Sequence, residues 1–158
     1  MGRPVAQTPA RRTRYQLEFF VDEEGGSPVR EWLRSLSDAK RRAVGAGLDV
    51  VVGELGPAIV GTKYGKQLGR GLLEFRLAEI SENVLGAAGR KARPIPADRG
   101  ERILLRVFLH CYGDRIVLLL GGYDKGDDPK GRRQQAEIDT ARARLADWQR
   151  RRRHGDVG

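Results

Sequence analysis

The sequence contains few of the residues that build covalent or metal-bound frameworks. Its 158 residues include one cysteine, Cys111, and two histidines, His110 and His154. One cysteine cannot form an intramolecular disulfide or a thiolate cluster, and this usage fits a reducing compartment. Two histidines, one of them in the C-terminal tail, cannot build a His-rich metal site. We therefore expect neither a disulfide scaffold nor a metal enzyme, and no cofactor.

The common signatures of catalysis and membrane insertion are also missing. The sequence has no Gly-rich P-loop, no HExxH, no CxxC pair and no GxSxG. No apolar run approaches the roughly 20 residues of a membrane span, and the N-terminus lacks the apolar segment of a signal peptide. The sequence therefore predicts a cytoplasmic protein without a membrane partner.

Basic residues are abundant by contrast. Lys and Arg number 30 against 21 Asp and Glu, for a formal charge of +9 and a pI near 10.3. This excess indicates a polyanionic partner, of which nucleic acid or the ribosome is the commonest for a small basic protein. Arginine accounts for most of the basic residues, as GC-rich codon usage would also produce. A solvated basic surface therefore stays open as the alternative.

Three apolar stretches of strand length form the centre of the chain: Leu72–Leu77, Ile103–Tyr112 and Ile116–Leu120. The three residues 113–115 between the last two are a tight hairpin link. Alternation puts Glu74 and Arg76 on one face of their strand and the apolar residues on the other. The next strand has Arg106 and His110 on the face opposite its main apolar set, which is Ile103, Leu105, Val107 and Leu109. The sequence predicts one apolar sheet face and one charged face.

Helices are predicted before and after this meander in the sequence. A first strand, 15–21, precedes a helix that starts at Ser27 and Pro28, with the Ser27 hydroxyl as N-cap. A second helix follows Ser37 and ends at residues 56–57, and we expect the two helices to form a hairpin over the apolar face. Residues 58–71 are predicted to be a loop. A last helix begins near Arg133, with a narrow apolar stripe.

The expected architecture is one α+β domain over residues 14–153, in the order β-α-α-β-β-β-α, with a mainly antiparallel sheet packed by the helical hairpin. Residues 1–13 are expected to be a flexible basic arm, 78–102 a loop insertion, and 154–158 a tail. The first strand must join the sheet because its backbone groups need partners. Either edge remains open to it.

The candidate site is the charged face. Arg76 and Arg106 could neutralise the charge that grows on a phosphodiester, and a Lys, His or Tyr could move protons. A pairing of Glu74 with Arg76 or Arg106 that only keeps the face soluble is the favoured interpretation of Glu74. His110 is likewise more typical of a partly buried strand residue than of a base. The candidate catalytic residues are Arg76, Arg106, Lys66, Lys125, His110 and Tyr123.

Five further basic residues are candidates for RNA contact. Lys63 and Arg70 lie before the first meander strand, whereas Arg90, Lys91 and Arg93 lie in the long connection at 78–102. A basic, Gly/Pro-rich connection could contact RNA. A tolerated surface insertion is the simpler interpretation of that connection.

Several motifs follow one another in a fixed order along the chain. They are the first strand, the Ser27-Pro-Val-x-x-Trp-Leu helix, Lys66-Gln-Leu followed by Gly71-Leu-Leu-Glu-Phe-Arg76, the Arg106 strand, and the strand that ends in Gly122-Tyr-Asp-Lys125. This ordered set resembles the RelE/ParE superfamily of toxins, and the HigB-type, phage-derived branch most closely. The resemblance covers about residues 14 to 150 and rests on the whole ordered set.

The resemblance implies a RelE-like fold and the toxin of a type II toxin–antitoxin pair, a metal-independent endonuclease that cleaves mRNA on the ribosome and inhibits translation. In such toxins the substrate's own 2′-hydroxyl attacks, and basic side chains stabilise the transition state. Arg76 matches the family's strand arginine, Lys66 the basic residue before that strand, Arg106 the arginine of the next strand, and Lys125 the basic residue after the last strand. The implied partners are a helix-turn-helix antitoxin, the ribosome and mRNA.

The sequence departs from that pattern in two places. Ile138 occupies about the position of a catalytic tyrosine near the start of the last helix in RelE proper, and Tyr123 is the candidate substitute. The long 78–102 connection is also unusual for the family. A ParE-like inhibitor of DNA gyrase and a non-catalytic binding protein with the toxin fold therefore remain the alternatives.

Overall fold

The computed structural model describes residues 14–78, 103–128 and 130–155. Its strands are β1 (Gln16–Phe19), β2 (Gly65–Gly69), β3 (Leu72–Leu77), β4 (Leu105–Tyr112) and β5 (Ile116–Asp124), and its helices are α1 (Pro28–Ser35), α2 (Asp38–Gly47) and α3 (Gln134–Arg153). The predicted arm 1–13, nearly all of the 78–102 insertion and the last three tail residues lie outside the described residues.

The five strands form one mixed sheet in the order β1-β5-β4-β3-β2. The pairs β3/β4 and β4/β5 are antiparallel, as predicted for the meander, β2 also pairs antiparallel with β3, and β1 lies parallel to β5 at the edge. The tight turn between β4 and β5 has positive φ at Gly113 and Arg115. The prediction of an α+β domain with a mainly antiparallel sheet is thus confirmed, and the structure settles which edge the first strand takes.

Strand β2 contradicts the prediction of a loop over 58–71. Lys66 and Gln67 are exposed, so the segment lacks the apolar alternation that identifies a half-buried strand. Its strand conformation comes from pairing with β3, where Lys66 lies opposite Glu74 and Gln67 opposite Leu73. The preceding Gly56–Gly61 is a 3-10 helix. Hydrophobic periodicity cannot identify a polar edge strand of this kind, because pairing with the neighbouring strand determines its conformation.

The two predicted helix starts differ in their caps. The Ser37 hydroxyl accepts a hydrogen bond from the Lys40 backbone N–H at 3.3 Å, so it caps α2. Ser27 occupies the N-cap position of α1, but its hydroxyl makes no capping bond and is buried without a partner among the described residues. The predicted Ser27 side-chain cap is therefore wrong, and Pro28 alone marks the start of α1 through its fixed φ.

The helical segment that begins with α2 continues beyond Gly47. A π-helical turn, Leu48–Val52, and a short α-turn, Gly53–Leu55, follow it directly. The whole stretch Asp38–Gly61 is long and apolar enough to cross a membrane, by length and composition. Of its most apolar window, 56% is buried inside the domain, so packing in the core accounts for its apolar character.

The helical hairpin covers one sheet face, as predicted. Its apolar residues and those of β3, β4 and β5 form the first core, and the close approach of Trp32 on α1 to β5 requires Gly122, because a Cβ there would lie 2.4 Å from the indole ring. The buried sheet residues of this core are Leu73, Phe75, Leu77, Leu105, Val107, Leu109, Val117 and Leu119.

The opposite sheet face, which is the predicted charged face, is also covered by a helix, and the sequence analysis did not predict this. The apolar stripe of α3 packs on it through Ala141, Leu145 and Trp148, with Ile138 at the margin. Arg142 of α3 donates to the backbone carbonyls of Leu68 and Gly69 and so ties the helix to the end of β2. The sheet residues of this second core are Leu72, Phe108, Leu118, Leu120 and Tyr123, joined by Phe20. The domain therefore has three layers: helical hairpin, sheet and α3.

Candidate functional site

Strand register brings three of the candidate residues into one row across the sheet. Arg76 of β3 lies opposite Arg106 of β4, and Arg106 lies opposite Tyr123 of β5. Directly opposed residues of antiparallel strands share a face, so all three side chains are on the face that α3 packs against. Two arginines directly opposite each other repel unless a counter-charge is close. The row therefore needs an acidic neighbour.

Glu74 is that neighbour. It precedes Arg76 by two residues on the same face and is completely buried. Its Oε1 accepts a hydrogen bond from Arg76 Nε at 2.9 Å, whereas Oε2 has no partner in the described part of the chain. The favoured pairing of Glu74 with Arg76 is present, but full burial means that Glu74 does not serve the solubility of a surface.

Arg106 is the second buried charge of the row, with 8% of its surface exposed. Its Nη1 donates to the Leu105 carbonyl at 3.3 Å, and its Nε has no partner among the described residues. Burial lowers the pKa of Arg106 and the charge of Arg76 lowers it further, while Glu74 and Tyr123 oppose the change. An arginine still keeps its proton at neutral pH. Glu74 therefore compensates two guanidinium groups, and the row carries excess positive charge.

Tyr123 is the member of the row on β5, and it packs in the second core together with α3. Its side chain is fully buried, its ring stacks on Phe108 with centroids 6.1 Å apart, and the Arg133 guanidinium lies 5.7 Å from the ring centroid. Burial, followed by the negative charge of Glu74, raises the pKa of Tyr123. The phenol stays protonated at neutral pH and can donate a hydrogen bond but cannot act as an ionised base. Its hydroxyl also lacks a partner in the described structure.

Unpartnered buried polar atoms are concentrated at this point. In the described ranges they are Glu74 Oε2, Arg106 Nε, Tyr123 Oη and, elsewhere in the fold, Ser27 Oγ. Buried polar groups in native proteins are nearly always hydrogen-bonded, and exceptions gather where a site binds or reacts. Three of these four atoms belong to one cross-strand cluster, which we call the Arg76 row: Glu74, Arg76, Arg106 and Tyr123.

Only the rim of the row reaches solvent. The Arg76 side chain is 35% exposed, Lys66 is exposed on β2 opposite Glu74, and Lys125 is half-buried in the 3-10 turn Lys125–Asp127 directly after β5. The turn is held by Asp124, whose Oδ1 accepts from the Gly126 N–H at 2.9 Å and whose Oδ2 lies 2.6 Å from Lys40 Nζ. Three cationic residues, Arg76, Lys66 and Lys125, thus lie on the accessible side of the row, on the adjacent strand β2 or in the turn after β5.

Other predicted residues lie away from the row. His110 is four residues beyond Arg106, about 13 Å along the strand, and its Nδ1 is 2.8 Å from the Gly71 carbonyl oxygen. Arg70 occupies the turn between β2 and β3, and Lys63 lies over the Tyr64 ring. The structure does not bring these three into contact with the row. The predicted RNA contacts Arg90, Lys91 and Arg93 lie outside the described residues.

The connection from β5 to α3 and the first turn of α3 contribute charges that the sequence analysis did not assign to the site. Asp128 and Glu137 both act on Tyr123, and Glu137 forms a salt bridge with Arg133 at 2.8 Å. The Asp128 carboxylate accepts from the backbone N–H groups of Arg132 and Arg133 at 3.0 and 2.8 Å. The i,i+4 spacing of Arg133 and Glu137 was the available signal. It predicts the salt bridge but not that the pair covers Tyr123.

The chemistry of the row is that of anion binding. A partly exposed guanidinium held by a buried carboxylate, with a second guanidinium behind it, suits a phosphate oxygen or another oxyanion. No three His, Cys, Asp or Glu residues come together as candidate metal ligands in the part of the chain that the structure describes. Comparison with models of known protein families gave no match, and no curated protein matches the chain significantly.

Proposed function

We propose that the protein has a RelE-like fold and is a HigB-type toxin of a type II toxin–antitoxin pair, which cleaves mRNA on the ribosome without a metal. The α+β order of elements is compatible with that fold, and the ordered motifs of the sequence support the family. The observation that carries the proposal is the Arg76 row, where an accessible guanidinium is oriented by buried Glu74 and backed by Arg106 directly across the sheet.

In this proposal Arg76 is the catalytic residue. Its planar guanidinium binds the non-bridging phosphate oxygens and stabilises the negative charge that grows on them as the 2′-hydroxyl attacks phosphorus. Glu74 and Arg106 are positioning residues, because both are buried behind Arg76. Glu74 fixes the Nε edge of the guanidinium, which leaves the Nη groups for substrate.

The reaction is an internal transfer of the phosphoryl group. The 2′-oxygen forms a bond to phosphorus and gives up its proton to solvent, the bond from phosphorus to the 5′-oxygen breaks, and the products are a 2′,3′-cyclic phosphate and a 5′-hydroxyl end. Lys66 and Lys125 flank the row, and the ammonium group of one of them gives the leaving 5′-oxygen its proton.

The proposed partners follow from the target and the charge. The ribosome presents translated mRNA, and the charge of +9 favours association with its RNA. A helix-turn-helix antitoxin with an acidic segment would neutralise the toxin by covering its basic surface. The proposed location is the cytoplasm, where translation and the antitoxin are found.

One observation favours a second candidate, a non-catalytic binding protein with the toxin fold. Glu74, Arg106 and Tyr123 are buried, and His110 lies about 13 Å along the strand from Arg106. None of these four therefore reaches a substrate at the rim to accept its proton. A binding protein, or a ParE-like gyrase inhibitor, would use the same fold without needing that base.

The decisive experiment compares mRNA cleavage with gyrase inhibition. We expect the purified protein, added to a reconstituted translation reaction, to cut the translated mRNA and leave 5′-hydroxyl ends, while DNA supercoiling by gyrase is unaffected. Arg76→Ala should lower the cleavage rate by roughly 10² or more, and Arg76→Lys should recover part of it. The matched control is Arg42→Ala, which removes an exposed arginine from α2 on the other side of the sheet.

Each other result contradicts the proposal in a specific way. Intact mRNA together with inhibited gyrase would identify the ParE-like alternative. Intact mRNA together with active gyrase would support the non-catalytic binding protein with the toxin fold. Equal cleavage by Arg76→Ala and Arg42→Ala would remove the Arg76 row from the reaction.

A further inference from the structure

The four arginines at the end of α3 are not equivalent. Arg150 forms salt bridges with Glu23 and Asp147, and Arg151 with Asp147. Arg152 and Arg153 have no carboxylate within ion-pair distance in the described part of the protein. All four lie near the negative end of the helix dipole, so the dipole does not distinguish them. Two of the four charges are neutralised locally, and two remain for a partner.

Arg152 is stacked on an aromatic cluster. Its guanidinium carbon lies 4.4 Å from the centroid of the Tyr112 ring and 5.0 Å from that of Trp148. The two rings meet edge to face at 4.6 Å, and His110 lies 5.8 Å from Trp148. Arg152 is nevertheless exposed. A planar cation is thus held against rings on one side while it remains accessible to solvent.

An open cavity adjoins this cluster. It has a volume of about 530 Å³ and is lined by His110, Trp148, Gln149, Arg152 and Arg153. The cavity combines a stacked guanidinium, a second unneutralised arginine and the amide of Gln149. Nucleobases of single-stranded RNA stack on aromatic rings and on arginine guanidinium planes, and their edges take hydrogen bonds from such polar groups.

The cavity lies on the same sheet face as the Arg76 row. His110 and Tyr112 are separated from Arg106 by even numbers of residues along β4, so all three side chains share one face. His110 is about 13 Å along the strand from Arg106. A strand of RNA with a phosphate at Arg76 therefore has a second cationic contact on the same side of the domain.

We propose that this surface, the Arg152 patch formed by His110, Tyr112, Trp148, Gln149, Arg152 and Arg153, is a second contact site for single-stranded RNA. A base stacks on the exposed side of Arg152, and Arg153 contacts the adjacent phosphate. The inference rests on the proposed function, which makes RNA the substrate. RNA is favoured over an acidic peptide because stacking presents the plane of Arg152, which suits a base, whereas a carboxylate is bound by the in-plane N–H groups.

The test measures RNA binding separately from cleavage. The full-length protein is titrated into a fluorescent single-stranded 2′-O-methyl 12-mer, which lacks the attacking hydroxyl, and anisotropy gives Kd at several salt concentrations. We expect Arg152→Gln to weaken binding by roughly tenfold, the scale of losing one stacked base. Arg153→Gln should lower the salt slope by about 0.7, the value for one phosphate contact on a single strand.

Matched variants separate a site from general charge. Arg150→Gln removes the same charge from the same helical turn, but Glu23 and Asp147 already neutralise it, so Kd should change by no more than about twofold. Arg152→Lys keeps the charge without the plane and should bind less tightly than the unchanged protein. Circular dichroism checks that each variant is folded. If Arg152→Gln does not fold, the variants Arg152→Lys and Arg153→Gln still test the site.

The outcomes distinguish this inference from the proposed nuclease. Arg152-dependent binding, together with intact mRNA in the reconstituted translation reaction, would support the patch and contradict the nuclease. Cleavage with equal binding by the Arg150 and Arg152 variants would contradict the patch alone. A poly-glutamate peptide whose binding depends on Arg152, when RNA binding does not, would overturn the inference in favour of an acidic protein partner.

Discussion

Arg76 and Glu74 form a hydrogen-bonded ion pair in which Glu74 is fully buried and Arg76 is partly exposed. Arg76 Nε donates to Glu74 Oε1 at 2.9 Å, and the two side chains share a face because they are two residues apart in β3. The buried carboxylate thereby fixes the accessible guanidinium. The same contact makes Arg76 important for stability as well as for anion binding.

We expect Arg76→Ala to lower the free energy of unfolding by about 1–3 kcal/mol, because it leaves the buried Glu74 carboxylate without its partner. Glu74→Gln combined with Arg76→Ala should recover part of that loss, since the buried charge is then removed. Urea denaturation of both variants measures the difference. A double variant that is less stable than Arg76→Ala would show that Glu74 is held mainly by Arg106.

Tyr123→Phe should leave stability unchanged or raise it by up to about 1 kcal/mol. The hydroxyl that it removes is buried and has no partner in the part of the chain that the structure describes, and the ring that stacks on Phe108 is retained. Tyr112→Phe is the control, because its hydroxyl donates to Glu18 Oε1 at 2.6 Å, and its loss should cost about 0.5–1.5 kcal/mol. Thermal unfolding of the two variants would refute this assignment if Tyr123→Phe proved the less stable.

Replacement of two glycines in α2 by alanine should change the stability of the protein in opposite directions. Gly45 is exposed and a Cβ there would meet nothing within 4 Å, so Gly45→Ala should stabilise the protein by about 0.5–1 kcal/mol through helix propensity. A Cβ at Gly47 would lie 2.9 Å from the Phe75 ring, so Gly47→Ala should cost about 1–3 kcal/mol through overpacking. Melting temperatures of the pair test this, and a shift in the same direction for both would contradict the close packing of α2 on β3.

The thiol of Cys111 should be unreactive while the protein is folded. Burial raises the pKa of Cys111 from its ordinary value near 9 to about 11, so only about 0.1% is thiolate at pH 8. Alkylation by iodoacetamide, which requires the thiolate, should be slow in buffer and fast in urea. Equal rates in the two conditions would show that Cys111 is accessible.

The same shift predicts a pH dependence of stability. The folded protein holds the thiol proton more tightly than the unfolded chain does, so the free energy of unfolding falls as the pH rises from about 9 to 11. Cys111→Ala should remove this part of the decline. Tyr112, whose pKa burial raises to about 12, acts from pH 10 upwards and remains in that variant.

Part of the candidate site could be predicted from the sequence. Strand alternation places Glu74, Arg76 and Arg106 on one face, because successive side chains of any strand point to opposite sides. Alternation put His110 on the same face, but it could not show that the Gly71 carbonyl engages the ring. It also could not show that Glu74 would be buried, since burial depends on what packs over the strand.

The sequence by itself determined the elements whose signals are local: the β4–β5 hairpin, the Ser37 cap, the apolar stripes of α1 and α3, and the alternation of β3. These follow from turn chemistry and from the periods of helix and strand, which a few adjacent residues specify. Tertiary structure alone decided that β1 lies parallel to β5, that the polar segment Gly65–Gly69 becomes a strand, and that α3 covers the face carrying Arg106 and Tyr123. Each of those depends on hydrogen bonds or apolar contacts with residues far away in the chain, and no local pattern encodes them.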